Sequence, residues 1–238
     1  MAAGYLHKVC AERAVKDAGL SSYSVEALCL GAHGPDPLFA AGIFPLRLSS
    51  RPKPWGHILH SMRTGAHLMA LLQSAKDADI VLKSFAMGFL THYALDTSVH
   101  PYVYAHSNDR FGNYSSSLHL QIEKRWDTLY YRRDGKRGTP GYMPGLTEAR
   151  PILPAVAAFW ADVLERTYPE LALTKEQLLE SFAATERIGR LTHSNLGIKY
   201  GLVWALERIA GKPAMITSFM TPRYFSRIDI ENRAGNVW

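Results

Sequence analysis

The chain has 238 residues, 47% of them hydrophobic, and its 27 Lys plus Arg against 21 Asp plus Glu leave a formal charge of +6. That length suits one domain with a substantial core, and no apolar run approaches the roughly 20 residues that cross a bilayer, so a transmembrane segment is excluded. The positive balance favours anionic partners such as phosphodiesters or a lipid surface without choosing between them.

The opening MAAGYLHKVCAERAVKDAGL mixes charged and apolar residues at helical spacing. It lacks the continuous apolar core of a secretory signal, so cytoplasmic residence is the expectation. Cys10 and Cys29 form no Cys-x-x-C motif and read as buried thiols. A first helix is predicted from Tyr5 to Ala18, stopped by Gly19, and a short segment SSYSVEALCLGA leads into a turn at Gly34, Pro35 and Pro37. The stretch 41–56, with Pro45, Pro52 and Pro54, reads as a loop.

Helices are then predicted over His57 to Ser74, Asp77 to His100 and Ser117 to Tyr131, with a Gly-rich surface loop at 134–150. Pro151 starts a helix through Arg166, and Thr174 with Gln177 forms a capping box that opens the next. A last helix covers Thr192 to Ala210 and ends at Gly211. Period-two alternation is absent over any convincing length, so the expected fold is all-α, a single multi-helix bundle over 1–238 with ligand side chains projecting inward. Residues 222–238 read as a C-terminal extension, whose Phe225 and Trp238 could dock on the domain or on a second subunit. The basic run KRWDTLYYRRDGKRGTPGYMPG reads as a solvated helix end and loop. There is no base-reading motif for nucleic acid, and the oligomeric state is open.

The chemistry-bearing residues recur at helical spacing. In GFLTHYALDTSVHPYV, His92, Asp96 and His100 stand four apart, about one turn each, so they share a helix face and can converge on one ion. His119 and Glu123 repeat the spacing, and imidazole with carboxylate suits zinc and similar cations. Upstream lie His7, Asp36 in GAHGPDPLF, and His57 and His60 in WGHILHSMRTGAH. Each has a plain alternative. The ladder could be core histidines bonded to an inward Asp, His57 and His67 could face solvent, Asp36 could serve the turn, and His119 with Glu123 could be a surface pair. Their conjunction in apolar surroundings argues for a metal, because buried charge needs a partner. Nucleophile motifs such as G-x-S-x-G, the P-loop and an adjacent His-Asp pair are missing.

The order His, Pro-Asp, His, G-x-x-x-H-Y-x-x-D-x-x-x-H-P and H-x-x-x-E resembles the zinc-dependent phospholipase C family and the related single-strand nucleases. The resemblance implies an all-helical fold holding two or three zinc ions, or other divalent transition metals, and hydrolysis of a phosphodiester, which could belong to a phospholipid. It gives Asp36, His60, His92 and Asp96 to one metal, with Asp96 bridging to a second that His7 completes, and His100, His119 and Glu123 to another. His57 is the alternative to His60. It also makes Asp36 the carboxylate that orients or deprotonates the attacking water. Two departures stand out. Secreted members use the N-terminal amine of the mature chain as a ligand, but here Met1 precedes His7 by six residues and no signal peptide is evident. Choline-selective members carry an aromatic residue after the Asp where this chain has Pro37, so headgroup preference does not transfer. The competing readings are a non-catalytic helical metal-binding or interaction protein and a nuclease-like enzyme. Trp55, Tyr102, Tyr104 and Trp126 would serve the nuclease as stacking positions or else belong to the core.

Overall fold

Helix runs almost without interruption through the computed structural model, which describes residues 4–44, 52–109, 111–212 and 214–223. Most of the proline-rich loop, 45–51, lies outside the described residues, as do Met1, Phe225 and Trp238. The α-helices are α1 (Gly4–Asp17), α2 (Val25–Ala32), α3 (Trp55–Ser61), α4 (Thr64–Ala75), α5 (Ile80–His106), α6 (Ser116–Arg133), α7 (Leu153–Thr167), α8 (Lys175–Thr192) and α9 (Ile198–Ile209). Among the described residues the sole strand-like pairing is an isolated bridge between Asn108 and Tyr114, so the fold is all-α.

Local chemistry explains the starts of these helices. Ser24 accepts from the Ala27 amide and Ser115 from the Leu118 amide, satisfying N–H groups that a first turn leaves without partners. At α8 the capping box is reciprocal, with the Thr174 amide donating to Gln177 Oε1 at 3.0 Å and the Gln177 amide to Thr174 Oγ1 at 3.3 Å.

The chain forms two compact units, one of residues 7–95 and 143–188, the other of 1–6, 96–142 and 189–238. In the first, α2 crosses α5 with backbone against backbone. A Cβ on Gly31 would lie 2.0 Å from the Phe85 carbonyl oxygen, and one on Gly88 would lie 2.1 Å from that of Leu28. Only glycine permits this approach, and it seats the α2 end and the turn after it beside His92. Leu28, Leu30, Phe85, Trp160 and Phe182 form the buried apolar body around it. Gly34 completes the seating, since at φ +51° a Cβ there would be 2.3 Å from the His92 ring.

In the second unit Thr128 Oγ1 donates to the Pro222 carbonyl, the Tyr5 hydroxyl to Asp134, and the Leu6 amide to Asp127. The buried Glu207 on α9 accepts from the amides of Ala214, Ile216 and Thr217 and from the Thr217 hydroxyl.

Four boundaries differ from the sequence expectation. The helix expected from His57 to Ser74 breaks at Arg63, whose φ is +51°. Its guanidinium bonds to the Thr167 carbonyl and Glu170, and Tyr168 donates to the Met62 carbonyl, so tertiary bonds hold the break. Helix α5 continues through Pro101 to His106 and carries the buried Val103 beyond the proline. The segment 134–150 is a surface loop only in part, since residues 134–137 are exposed while Thr139, Tyr142, Met143, Leu146 and Ala149 are buried. The last helix starts at Ile198 instead of Thr192, after Gly197 at φ +78°.

Candidate metal centre

Two groups of histidines and carboxylates assemble from these elements, one in each unit. In the first, α1 supplies His7, the turn after α2 supplies Asp36, α3 supplies His60 and α5 supplies His92. Ligand atoms of His7, Asp36 and His92 lie within 4.8 Å of one another, and all three residues are buried. His7 stacks on His92 with ring centroids 4.3 Å apart.

Hydrogen bonds fix how the imidazoles point. His92 Nδ1 is 3.1 Å from the Ala32 carbonyl oxygen and His60 Nδ1 is 2.7 Å from that of Gly56. A carbonyl only accepts, so each Nδ1 carries a proton and each ring turns its Nε2 inward. These two Nε2 atoms face one another at 3.4 Å, and His60 Nε2 is 3.2 Å from Asp36 Oδ1. Two ligands at about 2.1 Å from a tetrahedral zinc would themselves stand about 3.4 Å apart. Two imidazole nitrogens and a carboxylate at that spacing match what a shared cation requires.

In the second unit α5 contributes Asp96 and His100, and α6 contributes His119 and Glu123. Glu123 Oε1 lies 3.2 Å from His100 Nε2 and 3.0 Å from His119 Nε2, while His100 Nδ1 is 3.6 Å from Asp96 Oδ2. The three residues His100, His119 and Glu123 offer ligand atoms within 4.8 Å of one another. Glu123 Oε2 is buried with no hydrogen-bond partner among the described residues. An ionised oxygen in that position is costly unless a cation meets it. On both observations the residues present fit a metal.

Electrostatics runs the same way. Burial works against ionising Glu123, yet nearby positive charge, with hydrogen bonds from His100 and His119 added to it, holds its pKa down at about 2. Asp36 is likewise desolvated, and the His60 hydrogen bond with the neighbouring imidazoles lowers its pKa well below the carboxylate range. His100 is pushed up, its burial outweighed by Glu123 and Asp96. The carboxylates are therefore ionised and ready to ligate at neutral pH.

His57 is exposed and sets its ring edge-on against Phe39, so of the two histidines on α3 it is His60 that turns to Asp36. His67 is buried, correcting the solvent-facing alternative. Trp160 donates its indole N–H to His67 Nε2 at 3.1 Å, so Nδ1 holds the proton and donates to Thr167 Oγ1 at 2.9 Å. Sequence reasoning missed two residues. His33 is buried and donates from Nε2 to the Pro144 carbonyl oxygen at 2.9 Å. Burial lowers its pKa to about 4. Tyr114 places its hydroxyl 3.2 Å from His119 Nδ1 and so aims the other ring nitrogen at Glu123.

A family model described as zinc dependent phospholipase C matches residues 6–177. The chain belongs to the zinc-dependent phospholipase C family. Every clustered His, Asp and Glu described above falls inside the matched span, while α9 falls outside it. Searches of curated proteins and of solved structures returned no match. The family's zinc dependence agrees with the donor sets, and both are compatible with a metal-dependent hydrolase. Among the described residues no helix is long and apolar enough to cross a membrane.

Proposed function

We propose that this member of the zinc-dependent phospholipase C family hydrolyses phosphodiester bonds, with His7, Asp36, His60 and His92 holding metal in one unit and His100, His119 and Glu123 holding metal in the other. The observation that carries the reading is the pair of inward-facing Nε2 atoms of His60 and His92 at 3.4 Å beside Asp36. Zinc, when bound, supplies positive charge and Lewis acidity against the phosphoryl oxygens. The chain's own residues supply the rest. His60 and His100 are the partly exposed members of their clusters, and they set the side from which a substrate reaches each one. Asp36 orients the attacking water and takes its proton as the water oxygen bonds to phosphorus and the ester oxygen leaves. Its lowered pKa keeps it ionised at neutral pH.

A phospholipid substrate follows from the family, although Pro37 gives no ground for a choline preference. One feature favours single-stranded nucleic acid as a second reading. Tyr104 and Tyr114 are exposed beside His119, with ring centroids 5.7 Å from each other, and could stack a base.

The test is hydrolysis of a chromogenic phosphodiester, a phospholipid in mixed micelles and single-stranded DNA by zinc-loaded protein. Cleavage should vanish with chelator and return with zinc. Asp36→Asn should keep its metal and lose about 100-fold or more in rate, because the amide keeps an oxygen ligand but accepts no proton. Full activity in Asp36→Asn would remove that residue from the proton transfer. If all three substrates stay intact with zinc bound, the chain is a metal-binding or interaction protein.

A further inference from the structure

Helix α9, beyond the span matched to the family, exposes an apolar ridge. Ile198, Leu202, Leu206 and Ile209 recur at i, i+4, i+8 and i+11 and are 66%, 62%, 64% and 84% exposed. The chain adds Leu191 and Leu196 before the helix and Met215 and Ile216 after it, all exposed. Large side chains this open along one stripe exceed the scattered apolar residues that ordinary surfaces carry.

Charge around the ridge is of one sign. At about 100° per residue, Lys199 borders the stripe on one side, while Arg208 lies farther round the other side, over the half-exposed Trp204 ring of the far face at 4.5 Å. Arg190 and Lys212 stand just beyond the two ends. The single acid of the helix, Glu207, lies on the opposite face at 5% exposure, occupied by the amides of Ala214 and Thr217 and the Thr217 hydroxyl. An exposed apolar stripe on a helix whose exposed charges are all cationic is the composition of a helix that lies in the lipid interface.

We propose that α9 seats this protein on an anionic phospholipid surface, the helix lying in the plane of the headgroups with Ile198, Leu202, Leu206 and Ile209 inserted. Two other occupants fit less well. A second copy would bring one cationic flank against another. A helical partner offers a groove to a ridge, yet nothing acidic is exposed on α9 to select one. The inference rests on the proposed function only in taking phospholipid as the setting of the reaction, and it is read without any turnover.

The experiment is co-sedimentation of the zinc-loaded full chain with vesicles of phosphatidylcholine alone and of phosphatidylcholine with phosphatidylserine. The wild type should pellet with the anionic vesicles and much less with the neutral ones, and raising salt from about 50 mM to about 0.5 M should weaken binding. Leu202→Glu with Ile209→Glu should cut the bound fraction about ten-fold while leaving melting temperature and cleavage of the soluble chromogenic diester unchanged. Ile209→Ser, at the most exposed position, gives a second reading if the double variant melts early, and it too should bind less. Equal binding by wild type and both variants would overturn the proposal. So would failure of the wild type to pellet, whether it then proves to dimerise through this face or to cover it with residues 224–238. Vesicle binding without diester cleavage would sink the proposed hydrolysis and leave the docking helix standing.

Discussion

The two clusters hold similar side chains but are built differently. In the unit containing α6, His119 and Glu123 are one turn apart on that helix and meet His100 of α5, so one helical repeat supplies most of the group. In the other unit, His7, Asp36, His60 and His92 come from three helices and a turn, and they meet because Gly31 and Gly88 let α2 and α5 touch. The first kind of cluster depends on local geometry, and the second depends on packing elsewhere in the fold. Substitutions away from the ligands should therefore damage the His92 cluster more readily than the Glu123 cluster.

The largest effect is expected at His92. Replacing it by Ala removes a ligand, the hydrogen bond to the Ala32 carbonyl and the ring that stacks on His7, and should cost about 2–4 kcal/mol of stability as well as the metal of that cluster. His100→Ala, on a partly exposed ring, should lose metal with a smaller drop in melting temperature. Equal drops in melting temperature would erase the contrast between the clusters.

A histidine outside both clusters sharpens the point. Burial lowers the His67 pKa from 6.5 to about 4. The folded state thus binds its proton less readily than the unfolded chain. This stability is fully present above pH 6.5 and is lost as pH falls from 6.5 to 4, amounting to about 3 kcal/mol at the acid end. Urea unfolding across that range should show the loss, and His67→Gln should remove it from the pH profile with zinc binding unchanged. Loss of zinc in that variant would make His67 part of the site.

Gly34→Ala changes no ligand. The new Cβ would meet the His92 ring at 2.3 Å from a backbone at φ +51°, so about 1–3 kcal/mol of strain is expected. Zinc should leave the His92 cluster while the His119 cluster keeps its own. The smallest effect is expected for Tyr114→Phe, which removes the hydroxyl at His119 Nδ1 and should weaken zinc at that cluster about ten-fold with little change in melting temperature. Calorimetric titration of metal-free protein reads both.

The contrast also explains what could be read in advance. The i, i+4 pairs Asp96 with His100 and His119 with Glu123 are visible in the sequence because helix periodicity alone places them together. The all-α fold and the α8 capping box are legible for the same local reason. His57 and His60 could not be separated, since only the direction of α3 relative to Asp36 distinguishes them. His33 sits in GAHGPD, where it looks like part of a turn, and its burial depends on Pro144 from a distant segment. Tyr114 lies in a loop five residues before His119, outside any helical spacing. The break at Arg63 has no local signature, because Thr167, Tyr168 and Glu170 hold it from α7 and the turn beyond.

The central claim is that each unit binds its own metal, and the most direct test is zinc stoichiometry by elemental analysis of the wild type, His92→Ala and His119→Ala after zinc loading and desalting. The wild type should retain at least about two equivalents, and each variant should lose the metal of its own cluster while keeping that of the other. Less than about a tenth of an equivalent in the wild type would return these histidines to the core, and complete loss in both variants would replace two clusters with one.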